Sequence, residues 1–203
     1  MKKACILLVC LMLCGIVYAE PPQIILQSLA RVHYFSGEKT ISGGSGVVLK
    51  QEYVLSCYHI IRGKPVGELR ILITNGKESR NLGATIVKTD PERDLLLLKL
   101  DEPVPWETAK LAKKIEWGEK MYFGGYSALP LPLIRIGNVT TNSKGIYVHP
   151  IYYGDSGGGV FNETEQLIGI MYLLYEVYSV PTLAGYAIPL NKIKEFLPHA
   201  LQK

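Results

Sequence analysis

Short apolar runs alternate with turn residues along most of the chain. Runs of four to eight residues rich in β-branched and aromatic side chains, bounded by Gly, Pro, Asn or Asp, are the mark of strands. A first series falls at 31–36, 46–49, 53–56, 68–74, 82–88 and 95–100. Gly37, Gly43-Gly44, Gly63-Lys64-Pro65, Asn75-Gly76 and Asp90-Pro91 break these runs apart. A proline-bearing stretch, 101–108, reads as a connector. A second series follows at 120–123, 134–141, 146–148, 158–161, 167–174 and 183–188. Residues 191–197 then predict a short helix, with Asn191 as its cap, Ile193, Phe196 and Leu197 on one face, and Pro198 ending it. An all-β fold of two six-stranded antiparallel β-barrels and a C-terminal helix is the economical arrangement, because closed sheets remove edges that aggregate. A single β-sandwich is the alternative that periodicity leaves open.

The first residues follow a different pattern. Lys2 and Lys3 precede an apolar, uncharged run at 4–18, and Val17-Tyr18-Ala19 has the small-x-small form read by a signal peptidase. A signal peptide at 1–19 is expected, with cleavage after Ala19, a mature domain at 20–203, and an exported, periplasmic or secreted protein. The run of about 15 residues is short of the roughly 20 that span a bilayer, which disfavours a membrane anchor. A lipoprotein site at Cys14 is disfavoured by the large Leu13 before it. No later stretch suits a membrane span. Within 20–203 the barrels are expected at about 28–100 and 109–190.

Composition narrows the classes. The 203 residues are 48% hydrophobic and 20% charged, which suits a globular chain and not a disordered one. Twenty Gly, twelve Pro and thirteen Tyr suit a turn-rich β protein. The formal charge of +4 falls to about +2 without Lys2 and Lys3, and no basic cluster appears, so nucleic acid is not an expected partner. Of four cysteines, Cys5, Cys10 and Cys14 lie in the leader. Cys57 alone remains, so the mature chain has neither an internal disulfide nor a cysteine metal cluster.

Three short segments carry candidate chemistry. In Gly154-Asp155-Ser156-Gly157-Gly158, glycine before a serine lets the chain turn sharply. The N–H groups of Gly154 and Ser156 then converge where an oxyanion would form, while a nearby base would activate the serine hydroxyl. A Gly-rich turn with an incidental serine is the plain alternative. Val54-Leu55-Ser56-Cys57-Tyr58-His59 runs an apolar strand into a histidine, a residue suited to act as general base and then general acid. Lone histidines are more often structural. Arg93-Asp94 precedes the apolar run Leu95-Leu96-Leu97-Leu98, where a carboxylate can orient a histidine or merely cap a strand. Asp94 is preferred to Asp90, which sits in a Thr-Asp-Pro turn, and to Asp101, which follows the strand.

The order His59, Asp94, Ser156, with the Gly-Ser-Gly strand at 44–46 and Gly185-Tyr186-Ala187-Ile188-Pro189 near the end, resembles the chymotrypsin-fold serine endopeptidases. The likeness is nearer to bacterial forms of the HtrA and glutamyl-endopeptidase type than to the disulfide-rich animal enzymes, and it covers the protease domain only, from about Ser28 to Leu197. It implies two perpendicular barrels with the site in the cleft between them, a protein or peptide substrate, and no metal or cofactor. By the same resemblance His59, Asp94 and Ser156 are the catalytic triad, and Gly154 and Ser156 form the oxyanion hole. Pro150, Ile151, Tyr153, Tyr172, Leu173, Leu174 and Gly185 line the substrate pocket. No acidic residue stands near Pro150, so an apolar or small residue is expected before the scissile bond. Tyr152, Tyr153, Tyr172, Tyr175, Tyr178 and Tyr186 either line the cleft or reflect the β composition. Two departures stand out. Cys57-Tyr58 replaces the usual small pair before the histidine, and Asp155 lacks the Ile-Val-Gly-Gly-like start that pairs with it in the animal enzymes. An inactive binding module on the same fold is the runner-up, and esterase activity would share the same chemistry.

Overall fold

A computed structural model of the chain describes residues 22–127, 130–142, 145–176 and 183–202. The expected leader at 1–19 and Tyr178 lie outside the described residues. The first six strands are β1 (Leu29–Ser36), β2 (Lys39–Leu49), β3 (Tyr53–Cys57), β4 (Glu68–Thr74), β5 (Ser79–Asp90) and β6 (Leu95–Leu100). They close into an antiparallel barrel in the order β1-β2-β3-β6-β5-β4. In β4 the alternation is plain, with Leu69, Ile71 and Ile73 buried between exposed Glu68 and Arg70. Leu95 to Leu98 are all buried, and the same core takes in Ile193, Phe196, Leu197 and Leu201 near the C-terminus.

The Gly43-Gly44 break expected before residue 46 does not occur. β2 runs through both glycines, paired to His33 and Val32. A Cβ on Gly44 would stand 2.7 Å from both Ile60 Cδ1 and the Ser156 carbonyl oxygen. Glycine here serves a close approach by other segments, not a turn.

The second half holds β7 (Lys120–Gly125), β8 (Leu133–Asn138), β9 (Thr141–Asn142), β10 (Gly145–Val148), β11 (Gly159–Asn162), β12 (Leu167–Glu176) and β13 (Leu183–Pro189). They form one curled sheet in the order β8-β7-β11-β12-β13-β10-β9. The single strand expected over 134–141 is divided into β8 and β9, because the Val139 N–H turns to bond the Glu119 carbonyl. Met121, Phe123, Ile146, Val148, Val160, Ile168 and Met171 fill this half. The molecule is thus the expected two-barrel β fold, with the first barrel closed and the second a half-barrel.

The terminal helix α2 spans Leu190–Phe196. Asn191 is not its cap: β13 runs straight into the helix, so Pro189 holds the cap position and no side chain bonds there. Ile193, Phe196 and Leu197 are buried as expected, and Lys88 Nζ donates to the Phe196 carbonyl at 2.6 Å. A six-residue helix, α1 (Gln23–Ser28), carries no periodic signal in the sequence. It is held instead by tertiary bonds, from Ile25 N–H to Glu165 Oε2, from Trp106 Nε1 to the Gln27 carbonyl, and from Ala109 N–H to Ser28 Oγ. No helix among the described residues is long and apolar enough to cross a membrane.

Candidate active site

His59 lies just past the end of β3, in a 3-10 turn over Tyr58–Ile60. Asp94, immediately before β6, holds that turn. Its backbone is in the left-handed region (φ 56°), which Asp tolerates better than most residues. The Asp94 carbonyl accepts from Tyr58 N–H at 3.1 Å, and Oδ1 accepts from His59 N–H at 2.7 Å. Oδ2 lies 2.6 Å from His59 Nδ1. With the ring proton drawn to Nδ1, the imidazole lone pair sits on Nε2. His59 and Asp94 keep 33% and 21% of their side chains exposed, so the pair is open to a reactant. Asp90 is occupied elsewhere, accepting from Glu92 N–H and Arg93 N–H and pairing with the Arg93 guanidinium. Asp101 leaves β6 beside Gly83. Of the three competing aspartates, Asp94 is the one that meets His59.

The segment 154–158 turns tightly. Asp155 N–H donates to the Tyr152 carbonyl at 3.0 Å and Gly158 N–H to the Asp155 carbonyl at 2.7 Å, while Gly154 and Gly157 take φ of 96° and 87°. Ser45, a buried residue of β2, grips this turn from the first barrel. Its N–H donates to the Ser156 carbonyl at 2.7 Å and its Oγ to the Gly154 carbonyl at 2.6 Å. The Gly154 and Ser156 carbonyls are thereby taken, whereas their N–H groups meet no acceptor among the described residues.

One oxygen ties the segments that carry His59 and Ser156. The Met171 carbonyl accepts from Gly157 N–H at 2.7 Å and from the Cys57 thiol at 3.2 Å. Gly157 follows Ser156, and Cys57 stands two residues before His59. Among the described residues no hydrogen bond joins Ser156 Oγ to His59. Such bonds are often long in unliganded sites. Cys57, His59 and Asp94 each bring a possible ligand atom within 4.8 Å of one another. Burial, and then the Asp94 charge, push the Cys57 thiol well up, which suits its role as a neutral donor to the Met171 carbonyl.

Asp155 is fully buried. It accepts from Ser127 Oγ at 2.5 Å and Tyr152 N–H at 2.8 Å, and its Oδ2 lies 2.8 Å from Arg135 Nη2. The residues expected to line a pocket divide. Ile151 is buried in the second core, and its N–H bonds the Leu183 carbonyl. Pro150 follows a cis peptide bond, and Tyr153 is 73% exposed. Tyr172 is half-buried where β12 bulges between Met171 and Leu173. Burial, then Asp94, Tyr186 and Cys57, push its hydroxyl up. Leu173 and Leu174 pair through the backbone with Tyr186 and Gly185. The Tyr186 ring meets Tyr147 edge-on at 6.0 Å, and Tyr147 stacks on His149. Ser45, Arg135 and the Met171 carbonyl as a joint between the two segments were not anticipated. Ser45 sits in a legible Gly-Ser-Gly segment, whereas Met171 acts through its backbone and Arg135 has no sequence signal.

The sequence pattern of the trypsin-like peptidase domain matches residues 44–170. Serine protease HTRA1B of Danio rerio is 25% identical over 193 residues, 87% of this chain and 38% of that protein. Serine protease Do-like HtrA of Lactobacillus helveticus is 26% identical over 191 residues, 81% of this chain and 44% of that protein. Periplasmic serine endoprotease DegP of Salmonella typhimurium is 25% identical over 178 residues, 77% of this chain and 35% of that protein. The chain therefore spans less than half the length of these relatives. The serine endoprotease of Yersinia pestis has the same fold, with a TM-score of 0.70 at 22% identity over 85% of this chain and 62% of that one. With the family pattern covering well over half of its residues, and the His59, Asp94 and Ser156 segments all inside that match, the chain belongs to the trypsin-like peptidase domain family.

Proposed function

We propose that the protein is an exported serine endopeptidase acting through an acyl-enzyme. Two observations support this reading: the His59–Asp94 pair, and the meeting on the Met171 carbonyl of Cys57, two residues before His59, and Gly157, directly after Ser156. His59 Nε2 takes the proton from Ser156 Oγ as that oxygen attacks the peptide carbonyl. The negative charge that develops on the carbonyl oxygen is met by the N–H groups of Gly154 and Ser156, which have no other acceptor among the described residues. Asp94 stabilises the imidazolium. The protonated ring gives its proton to the leaving amine, the C–N bond breaks, and Ser156 is left as an ester. Water, deprotonated by His59, then attacks the ester and frees the acid. No step calls on a metal or cofactor. Pro150, Tyr153, Tyr172, Leu173, Leu174 and Gly185 form the substrate wall, with an apolar or small residue before the scissile bond. The expected leader at 1–19 and the likeness to the periplasmic serine endoprotease DegP of Salmonella typhimurium support export.

That no hydrogen bond joins Ser156 Oγ to His59 among the described residues favours a second reading, a latent site or a binding module on the same fold. A fluorophosphonate probe separates the two. Covalent labelling of the purified protein that disappears in Ser156→Ala supports the peptidase. A well-folded protein that takes no label, and still captures a partner as Ser156→Ala, supports the module.

A further inference from the structure

Arg135 stands in the middle of β8, opposite Phe123 of β7, with 10% of its side chain exposed. Its guanidinium carbon lies 5.2 Å from the centre of the Phe123 ring and 5.4 Å from that of Tyr152. None of Nε, Nη1 and Nη2 makes a hydrogen bond among the described residues; Nη2 lies 2.8 Å from Asp155 Oδ2 as an ion pair. A buried guanidinium with one ionic partner and two aromatic walls is a costly arrangement, and it persists only while the partner stays charged and close. That partner is the residue between Gly154 and Ser156. Its other oxygen is held by Ser127, and Tyr152 both covers Arg135 with its ring and donates its N–H to Asp155.

We propose that Arg135 is a positioning residue: as the chain's own internal cation it holds the Asp155 carboxylate, and through it aims the N–H groups of Gly154 and Ser156. The inference rests on the serine-peptidase reading and adds a consequence to it. A site set by a cation from within β8 is assembled in the intact chain and needs no cleavage to release an amino terminus. It also binds Tyr152, on the rim of the Ser156 turn, to the same charge.

The test compares Arg135→Gln, Arg135→Lys, Asp155→Asn and the double variant Arg135→Gln/Asp155→Asn in the full chain. Three readouts are taken: kcat and KM on a peptide ester per folded molecule, thermal stability, and the amide shifts of Gly154 and Ser156 in ¹⁵N-labelled protein. Arg135→Gln is expected to lower kcat about 10²–10³-fold, the scale of losing an oxyanion donor, with KM changed less than threefold. Arg135→Lys keeps the charge without the fork and falls between. The double variant leaves no buried charge unpaired, and is expected to regain at least tenfold in kcat over Arg135→Gln and to return the two amide shifts towards wild type. Wild-type kcat in folded Arg135→Gln overturns the proposal, as does a double variant that regains stability but neither kcat nor the amide shifts. If Arg135→Gln does not fold, Arg135→Lys decides: a loss of tenfold or more in kcat at constant KM supports the role, and an unchanged kcat overturns it. If the wild type itself hydrolyses nothing, the peptidase reading fails separately, and the amide shifts still decide whether Arg135 sets the turn.

Discussion

Asp94 gives one carboxylate oxygen to the His59 backbone N–H and the other to the imidazole Nδ1. The capping bond and the proposed orienting of His59 therefore fall on the same side chain, which is why the two readings of Asp94 competed in the sequence. Asp94→Asn separates them. The amide oxygen can still accept the His59 N–H and keep the turn. Its NH2 group, set against Nδ1, forces the ring to offer a lone pair there and to carry its proton on Nε2. In the proposed mechanism a base protonated on Nε2 cannot accept the serine proton. The expected result is a kcat about 10⁴-fold lower with little change in thermal midpoint. A kcat reduced by less than tenfold would leave Asp94 a cap and nothing more. The neighbouring oddity, Cys57, was visible as a departure from the small pair expected before the histidine. Its partner was not, because the Met171 carbonyl is a backbone atom that every sequence possesses.

The elements show where local pattern suffices and where it fails. The strand over Glu68–Thr74 was legible to the residue, because apolar and charged side chains alternate across a barrel wall with one wet face. β5 runs longer than its apolar run, since most of its residues are exposed and carry little periodic signal. β2 misled in the opposite sense: Gly43-Gly44 reads as a turn, but glycine gives the same signal for a turn and for a close approach, and only the tertiary neighbour distinguishes them. Gly44→Ala tests that distinction. Its new Cβ would stand 2.7 Å from Ile60 Cδ1, which can rotate, and 2.7 Å from the Ser156 carbonyl, which can yield only if the turn moves. A loss of about 1–3 kcal/mol in stability is expected, as for overpacking, with a larger proportional fall in kcat. Gly37→Ala is the control. Gly37 has φ +60° and open space around it, so it should lose about 1 kcal/mol to backbone strain and leave kcat unchanged. Equal kcat losses in the two variants would contradict the close-approach account.

At the scale of the whole molecule the two halves meet on a polar seam at the site. The order of the three chemical segments and the two runs of strands were readable because each is local in sequence. The seam was not, since it joins residues about a hundred positions apart. Ser45 is its centre. Besides its two bonds to the 154–156 turn, its Oγ accepts from Tyr126 N–H at 2.8 Å, and its carbonyl accepts from Ser56 Oγ at 2.6 Å. Ser45→Ala keeps both backbone contacts and deletes the hydroxyl alone. The Gly154 carbonyl then loses its donor, and the buried Tyr126 N–H is left without an acceptor, a penalty of about 1–3 kcal/mol. For a chain of this size each kcal/mol lowers the thermal midpoint by about 2–4 °C, so the shift is readily measured. If the seam only binds the halves together, kcat per folded molecule will stay at the wild-type value. If it also fixes the turn that presents the Gly154 and Ser156 N–H groups, kcat falls at constant KM, because that geometry matters to the transition state and not to the bound substrate. The second outcome is expected, since Ser45 Oγ bonds directly to the carbonyl of Gly154, one of the two residues whose N–H groups would meet the oxyanion.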